Sequence, residues 1–286
     1  MAHTPDTPGA ITRRQILRRI GLTALVAGPG AGLLNACATS GGGAAPADPD
    51  PVDGHVDTVG LELGGKSPCV ILPDADLGEA VPATVDGAFV NSGQTCTGWS
   101  RMLVHRDQYD DAVRLAVAAA RAYRIGDPLA EGTRLGPLVS AARRETVLRY
   151  IIKGEEEGAR LLCGGAEPPP GPGYYVEPTV FAGVEHGMVV EREEIFGPVL
   201  AVVPYASEDE AVEIANGTSG LSAAVWAGDR ERGLAFARRL RTGQVHINGA
   251  KFNHLAPFGG YRPSGLGREL GVAGLAEFLE TKAMHL

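Results

Sequence analysis

Residues 60–67 have residue types and a spacing that could bind phosphate. Their sequence, GLELGGKS, satisfies the Walker A pattern G-x-x-x-x-G-K-[ST]. A phosphate-binding loop must open a helix, so that backbone N–H groups and the helix dipole face the phosphates. Here Pro68 and an apolar, strand-like run at residues 69–72 follow, and Glu62 would bring a carboxylate against phosphate. We therefore expect no nucleotide-triphosphate site; ATP binding lost in Lys66→Ala would show the opposite.

Four sequence patterns that follow one another along the chain favour a different chemistry. Residues 62–68 read ELGGKSP, residues 91–96 NSGQTC, residues 193–199 EEIFGPV and residues 257–269 PFGGYRPSGLGRE. They resemble the glutamate signature, the cysteine signature, a cofactor-contacting segment and the C-terminal signature of the aldehyde dehydrogenase superfamily. Glu62 and Cys96 are 34 residues apart, which suits that family. The resemblance extends over residues 56–284 and identifies its catalytic, C-terminal half.

The resemblance implies oxidation of a small aldehyde to a carboxylic acid with NAD or NADP. Cys96 would attack the carbonyl as a thiolate and form a thiohemiacetal, which loses hydride to become a thioester. Glu62 would be the general base that activates water and helps to deprotonate Cys96. The Cys96 backbone N–H would donate to the oxyanion. A free thiol has a pKa of ~8.5, so we expect local activation of Cys96.

The same resemblance implies where the nicotinamide end of the cofactor binds. Glu194 would hold the ribose hydroxyls, Phe196 would pack near the ring, and Leu63 and Gly64 would line the nicotinamide side. From the residues alone, Glu194 could instead pair with Arg192, and Phe196 could belong to the core.

Apolar runs and amphipathic segments alternate in a way that predicts the elements holding these residues. The predicted strands are residues 58–62, 69–72, 102–105, 199–203, 223–226 and 244–247. The predicted helices are one capped by Asp107 and those at residues 141–158, 208–216 and 230–241. This alternation predicts an α/β fold with a mainly parallel open sheet and flanking helices. By resemblance, the family's N-terminal nucleotide-binding domain, which also supplies an oxyanion-hole Asn, would be largely absent.

The first 55 residues resemble an export signal followed by a linker, rather than part of the catalytic domain. A twin arginine at Arg13 and Arg14 precedes an apolar stretch at residues 20–34, too short for a typical membrane span. A lipobox-like sequence then ends at Cys37. We predict a twin-arginine lipoprotein signal at residues 1–37, a linker at 38–55 and the catalytic domain at 56–286. The protein would be exported and anchored through a lipid on Cys37, or cytoplasmic if the signal does not function.

Composition excludes several other classes of protein. The net charge of −8 over 286 residues disfavours a nucleic-acid partner, which would select for a basic face. Four cysteines in a chain of this length do not make a disulfide scaffold. The seven histidines are scattered and form no H-E-x-x-H motif, so we predict no metal site.

Three functional hypotheses remain open from the sequence. The chain could be a dehydrogenase that works as a homo-oligomer or with a complementing chain supplying the N-terminal half. It could be an inactive, truncated pseudoenzyme or a lipoprotein with a binding role. It could be a cofactor-independent thiol esterase that uses Cys96, because thioester hydrolysis needs no hydride acceptor.

Overall fold

The computed structural model describes residues 60–218 and 220–286. The predicted signal, the linker and the boundary at residue 56 lie outside the described residues. The domain limits therefore remain predictions.

A mostly parallel sheet organises the described part of the chain. Its strands, in chain order, are β2 (Pro68–Ile71), β3 (Arg101–His105), β4 (Arg160–Cys163), β5 (Thr179–Ala182), β6 (Val199–Tyr205), β7 (Ser222–Trp226) and β8 (Gln244–Ile247). Their spatial order is β4-β5-β6-β3-β2-β7-β8, and only the edge strand β4 runs antiparallel to its neighbour. The predicted parallel α/β sheet is confirmed.

A separate two-stranded sheet joins two segments that are distant in sequence. Strand β1 (Leu61–Glu62) pairs antiparallel with β9 (Gly265–Leu266), with Glu62 opposite Gly265. This pairing brings the glutamate signature beside the C-terminal signature.

Helices cover both faces of the large sheet. They are α1 (Leu77–Phe89), α2 (Tyr109–Arg121), α3 (Ala141–Glu156), α4 (Val189–Arg192), α5 (Glu208–Asn216), α6 (Arg230–Ala237) and α7 (Gly271–Ala276). Alternate residues of each strand point to opposite faces. Accordingly, Cys69 and Ile71 of β2 pack with α1 and α2, whereas Val70 belongs to the core that holds α3, α5 and α6.

The sequence predicted most of these elements but missed six, namely helices α1, α4 and α7 and strands β4, β5 and β9. Helix α1 contains Pro82 and two glycines, which obscured its periodicity; Asp76 caps it by accepting from Gly78 N at 2.7 Å. Strands β4 and β5 were missed although, at four residues each, they are as long as the predicted strands β2 and β8. The prediction that Asp107 caps α2 is wrong, because Asp107 lies in a 3-10 turn, Arg106–Gln108, that precedes the helix. In that turn the Asp107 N–H donates to the His105 ring.

A buried arginine, Arg101, links three separate segments of this fold. Arg101 of β3 forms a 2.6 Å ion pair with Glu191, and both side chains are at most 1% exposed. Its guanidinium also donates to the carbonyls of Lys66 and Ala215. Arg101 thus fixes three separate segments, two of which adjoin the predicted site.

No helix in the described ranges is long and apolar enough to cross a bilayer.

Candidate active site

The turn that carries Cys96 follows directly from helix α1. Asn91 and Ser92 have left-handed backbone angles (φ 51° and 57°), as does Gly93 (φ 73°). The Asn91 amide donates to the Gln94 carbonyl at 3.0 Å, and the Gln94 amide donates back to the Asn91 carbonyl at 3.2 Å. The amide side chains of the NSGQTC motif therefore stabilise the strained turn that presents Cys96.

This turn packs on the EEIFGPV segment at a position where only glycine fits. A Cβ atom at Gly93 would overlap the backbone of Gly197 and Pro198. Ser92 further fixes the turn by donating from its hydroxyl to the Gly136 carbonyl at 2.9 Å. The cysteine motif and the cofactor-contacting motif are thus in direct backbone contact.

Glu62 lies on the exposed end of strand β1. Its pKa is raised by burial and by the negative charge of Glu269, while Arg268 acts in the opposite direction. Both neighbours belong to the C-terminal signature, which the β1–β9 pairing brings here; the Leu63 N–H also donates to the Ser264 carbonyl at 3.0 Å. Sequence reasoning did not single out Glu269, because that residue is close to Glu62 only through tertiary structure.

Glu194 is half-buried against the glycines of the glutamate signature. Its carboxylate lies so close to Gly64 that any Cβ there would overlap it, and it accepts from the Gly65 N–H. Burial raises its pKa to about 7, against the opposing effects of Gly65, Lys66 and Arg143. Within the described part of the chain, the buried Oε1 atom has no hydrogen-bond partner. A ligand hydroxyl could supply one.

Phe196 and Leu63 are the other residues expected at the cofactor. Phe196 is half-buried with a left-handed backbone (φ 56°), and the Arg143 guanidinium stands 5.4 Å from its ring centroid. Leu63 is 46% exposed. Neither side chain is committed to the hydrophobic core.

Cys96 is a free, half-buried thiol whose charged neighbours are the two predicted carboxylates. Its pKa is raised by burial, by Glu194 and by Glu62. The backbone N–H groups of Cys96 and Thr97 lower it. The local activation expected from sequence is therefore limited to these two N–H groups, because the carboxylates disfavour the thiolate; the attacking thiol needs a proton acceptor.

Other groupings that the sequence offered do not form a site. Lys66 is buried and precedes strand β2 rather than a helix, so the Walker A pattern makes no phosphate-binding loop. Cys69 is buried and lies 3.0 Å from the Thr84 hydroxyl, while Cys163 is on the edge strand β4. In residues 60–218 and 220–286, no three His, Cys, Asp or Glu side chains are grouped to hold a metal ion.

Comparison with known proteins agrees with this arrangement. Residues 50–284 match the aldehyde dehydrogenase family. The chain belongs to the aldehyde dehydrogenase family. It is 48% identical over 232 residues to 3-succinoylsemialdehyde-pyridine dehydrogenase of a Pseudomonas species, covering 80% of this chain and 49% of that protein. Betaine aldehyde dehydrogenase of Brucella anthropi is 42% identical, with 81% of this chain and 49% of the relative covered.

Solved aldehyde dehydrogenases share the fold. Aldehyde dehydrogenase C of Pseudomonas syringae, crystallised with NAD⁺ and octanal, has a TM-score of 0.79 and 48% identity, over 80% of this chain and 48% of that one. A Mycobacterium tuberculosis aldehyde dehydrogenase with NAD⁺ has a TM-score of 0.75 and 44% identity, over 77% and 46%. The chain spans about half the length of these relatives.

Proposed function

We propose that this chain carries the covalent chemistry of an NAD(P)-dependent aldehyde dehydrogenase, with Cys96 as nucleophile and Glu62 as general base. The observation that supports this most directly is the meeting of Cys96, Glu62 and Glu194 in one electrostatic site, from three separate motifs. A nucleophile, a base and a ribose-binding carboxylate are the groups that the reaction requires.

The proposed reaction begins with deprotonation of the Cys96 thiol. Glu62 accepts the thiol proton, and the Cys96 sulfur bonds to the aldehyde carbon to give the thiohemiacetal as its alkoxide. When bound, the nicotinamide would supply the hydride acceptor for conversion of this adduct into a thioester. Glu62 releases its proton to solvent and then takes one from water, whose oxygen bonds to the acyl carbon; the carbon–sulfur bond breaks, the carboxylic acid leaves, and the Cys96 sulfur takes back a proton. The raised pKa of Glu62 suits a base that must accept and release protons.

The described residues fit the ribose and nicotinamide end of such a cofactor. The Glu194 Oε1 atom is a buried acceptor with no hydrogen-bond partner in the described ranges, and a ribose hydroxyl would satisfy it. Gly64 leaves room for the carboxylate that performs this role. Leu63 and Phe196 would contact the nicotinamide.

Single-turnover kinetics with the purified chain tests the proposal. Octanal and NAD⁺, the ligands of the Pseudomonas syringae relative, are suitable probes. Cys96→Ser should form no reduced cofactor. Glu62→Gln should release at most one equivalent of NADH per chain and then stop as the thioester. NADH formation by Cys96→Ser at the rate of an active unmodified chain would refute the assignment.

The partners of the reaction are part of the proposal. We propose that the chain acts on a small aldehyde as a homo-oligomer or together with a complementing chain that supplies nucleotide-binding surface. Adding the separately expressed N-terminal half of the Pseudomonas syringae aldehyde dehydrogenase C should then raise NADH formation. No gain, together with no turnover alone, would favour the inactive pseudoenzyme.

A thiol esterase is the second candidate function. The described residues contain both the nucleophile and the base, which are sufficient for attack on an ester, loss of the alcohol and hydrolysis of the thioester. Hydrolysis of p-nitrophenyl acetate without NAD(P), abolished in Cys96→Ala, would support this function. Esterase activity that survives in Cys96→Ala would exclude Cys96 as its nucleophile.

Export is a separate proposal that concerns residues 1–37. If the twin-arginine signal functions, a lipid probe should label Cys37 in cells, and Cys37→Ser should abolish the label. A protein that stays in the cytoplasm without the label would contradict export, and it would have access to intracellular NAD(P).

A further inference from the structure

Helix α3 contacts the EEIFGPV segment through one row of side chains. Arg143, Val147 and Tyr150 follow one another at spacings of four and three residues, so they lie on the same face of the helix. At one end of the row, the Arg143 guanidinium lies 5.4 Å from the centroid of the Phe196 ring. At the other end, the Tyr150 hydroxyl donates to the Glu193 carboxylate at 2.7 Å. The helix therefore contacts the segment on both sides of Glu194.

Val147, in the middle of the row, shows how closely the helix and the segment approach each other. Its side chain is fully buried, and a Cβ atom added at Gly197 would lie only 2.6 Å from its Cγ2 atom. Such an approach leaves the helix little freedom to move relative to residues 193–197. Arg143, one helical turn before Val147, is thereby held beside Phe196.

Phe196 has a backbone conformation that needs support from its surroundings. Its φ angle of 56° is in the left-handed region, which is strained for a residue with a bulky side chain and persists only where neighbouring groups hold it. The ring is outside both hydrophobic clusters of the described ranges. The Arg143 guanidinium forms no hydrogen bond or ion pair within residues 60–218 and 220–286, so its contact there is with this ring. A cation at this distance is attracted to the face of an aromatic ring.

The start of helix α3 is also fixed to the turn that carries Cys96. The Val139 N–H donates to the Gln94 side chain at 2.9 Å, and the Ser92 hydroxyl donates to the Gly136 carbonyl at 2.9 Å. Both bonds join the cysteine motif to the residues that lead into the helix. A side chain that projects from the first turn of α3 is therefore held in a defined relation to the nucleophile.

We propose that Arg143 is a positioning residue that holds the Phe196 ring in place through a cation–π contact, and so fixes the aromatic surface that the nicotinamide would meet. The role of Phe196 at the cofactor rests on the proposed function. The contact between Arg143 and Phe196 does not depend on it, because both side chains belong to the described fold.

Carbon-13 NMR of ring-labelled phenylalanine tests the contact without aldehyde or cofactor. The chain has seven phenylalanines, and the signal that disappears in Phe196→Leu identifies that residue. Arg143→Gln should shift the Phe196 signal and leave the other six in place. Arg143→Lys retains the positive charge and should bring the signal back toward its position in the unmodified chain.

Arg144→Gln is the matched control for general loosening of the helix. Arg144 follows Arg143 directly, and its guanidinium lies 5.8 Å from a different ring, that of Tyr174. Its substitution should leave the Phe196 signal unchanged. An unmoved Phe196 signal in Arg143→Gln, or equal shifts in Arg143→Gln and Arg144→Gln, would overturn the proposal.

Calorimetric titration with NAD⁺ tests what the contact does for the cofactor. Arg143→Gln should weaken binding about two- to fivefold, which is the factor that an exposed cation–π contact contributes. In the Phe196→Leu background, Arg143→Gln should weaken binding no further. The same loss in that background would mean that Arg143 acts on the cofactor directly, and would overturn the positioning role. If no variant binds NAD⁺, the proposed function and the cofactor role of Phe196 both fail, while the NMR signal still decides the contact.

Discussion

At the scale of single residues, burial disfavours the charged form of the thiol and of both carboxyl groups in the candidate site. Cys96, Glu62 and Glu194 all have raised pKa values, and burial is the largest cause in each case. Like charges near one another raise each other's pKa further. Both shifts favour the neutral thiol of Cys96 and the neutral carboxyl of Glu62 over a thiolate beside a carboxylate.

The Glu62 environment predicts opposite effects from two neighbouring substitutions. Glu269→Gln removes a negative charge that raises the pKa of Glu62, so that pKa should fall. Arg268→Gln removes a positive charge that lowers it, so it should rise. Carbon-13 NMR titration of the Glu62 carboxyl would measure both shifts. Shifts of the same sign would contradict this electrostatic picture.

Lys66 also predicts how stability changes with pH. Its pKa falls from 10.5 to about 7 on folding, so between pH 7 and 10.5 the unfolded chain binds the extra proton. The free energy of unfolding therefore gains a contribution that rises with pH across this window. Urea denaturation at pH 7, 8 and 9 should show a less positive slope in Lys66→Met than in the unmodified chain. An unchanged slope would mean that folding does not lower the pKa of Lys66 to about 7.

At the scale of elements, function depends on contacts between loops at the ends of strands. The NSGQTC turn leaves helix α1 and packs on the EEIFGPV segment before β6, while β1 pairs with β9. Because β6, β3 and β2 are neighbouring parallel strands, the three motifs that precede them lie at the same end of the sheet. Each motif is held by another motif as well as by its own element.

The contact at Gly93 gives an element-scale prediction. Gly93→Ala would strain a left-handed backbone and overlap Gly197, so we expect a loss of about 2–4 kcal/mol in the free energy of unfolding. Gly187→Ala is a matched control, because φ is 99° there but no atom lies within 4 Å of the added Cβ. It should cost about 1 kcal/mol. Equal losses in urea denaturation would mean that the inter-motif contact contributes nothing.

At the scale of the whole molecule, the C-terminal region leaves large apolar side chains exposed. Those at least 80% exposed in residues 250–286 are Leu255, Val272, Phe278, Met284 and Leu286. A contiguous exposed apolar patch often marks an interaction site, so we predict that another chain covers part of this region. Such a contact would be needed in the proposed homo-oligomer or with the complementing chain.

Sedimentation velocity tests the role of this surface. We expect the unmodified chain to self-associate at micromolar concentration, and Val272→Asp with Phe278→Asp to shift it toward the monomer. Leu129→Asp, which alters a 94% exposed residue outside this region, should leave association unchanged. A monomer in all variants would exclude a homo-oligomer and leave the complementing chain as partner.

The sequence predicted five of the seven strands of the large sheet, and missed β4 and β5. Strand β6 and helix α5 were evident because buried strands are continuous apolar runs and exposed helices are amphipathic. Helix α1 was not, because Pro82 interrupts its pattern, and only packing against α2 compensates for this. The prediction that Asp107 caps helix α2 was wrong because Asp107 lies in the 3-10 turn that precedes the helix.

Residue type and order along the chain determined the family and predict Cys96 as nucleophile and Glu62 as base, because these residues belong to local motifs. Only tertiary structure decided that Glu269 and Arg268 flank Glu62, that Lys66 is buried, and that burial opposes ionisation of Cys96. Desolvation and charge–charge interactions depend on distances across the fold, and no spacing in a linear sequence specifies those distances.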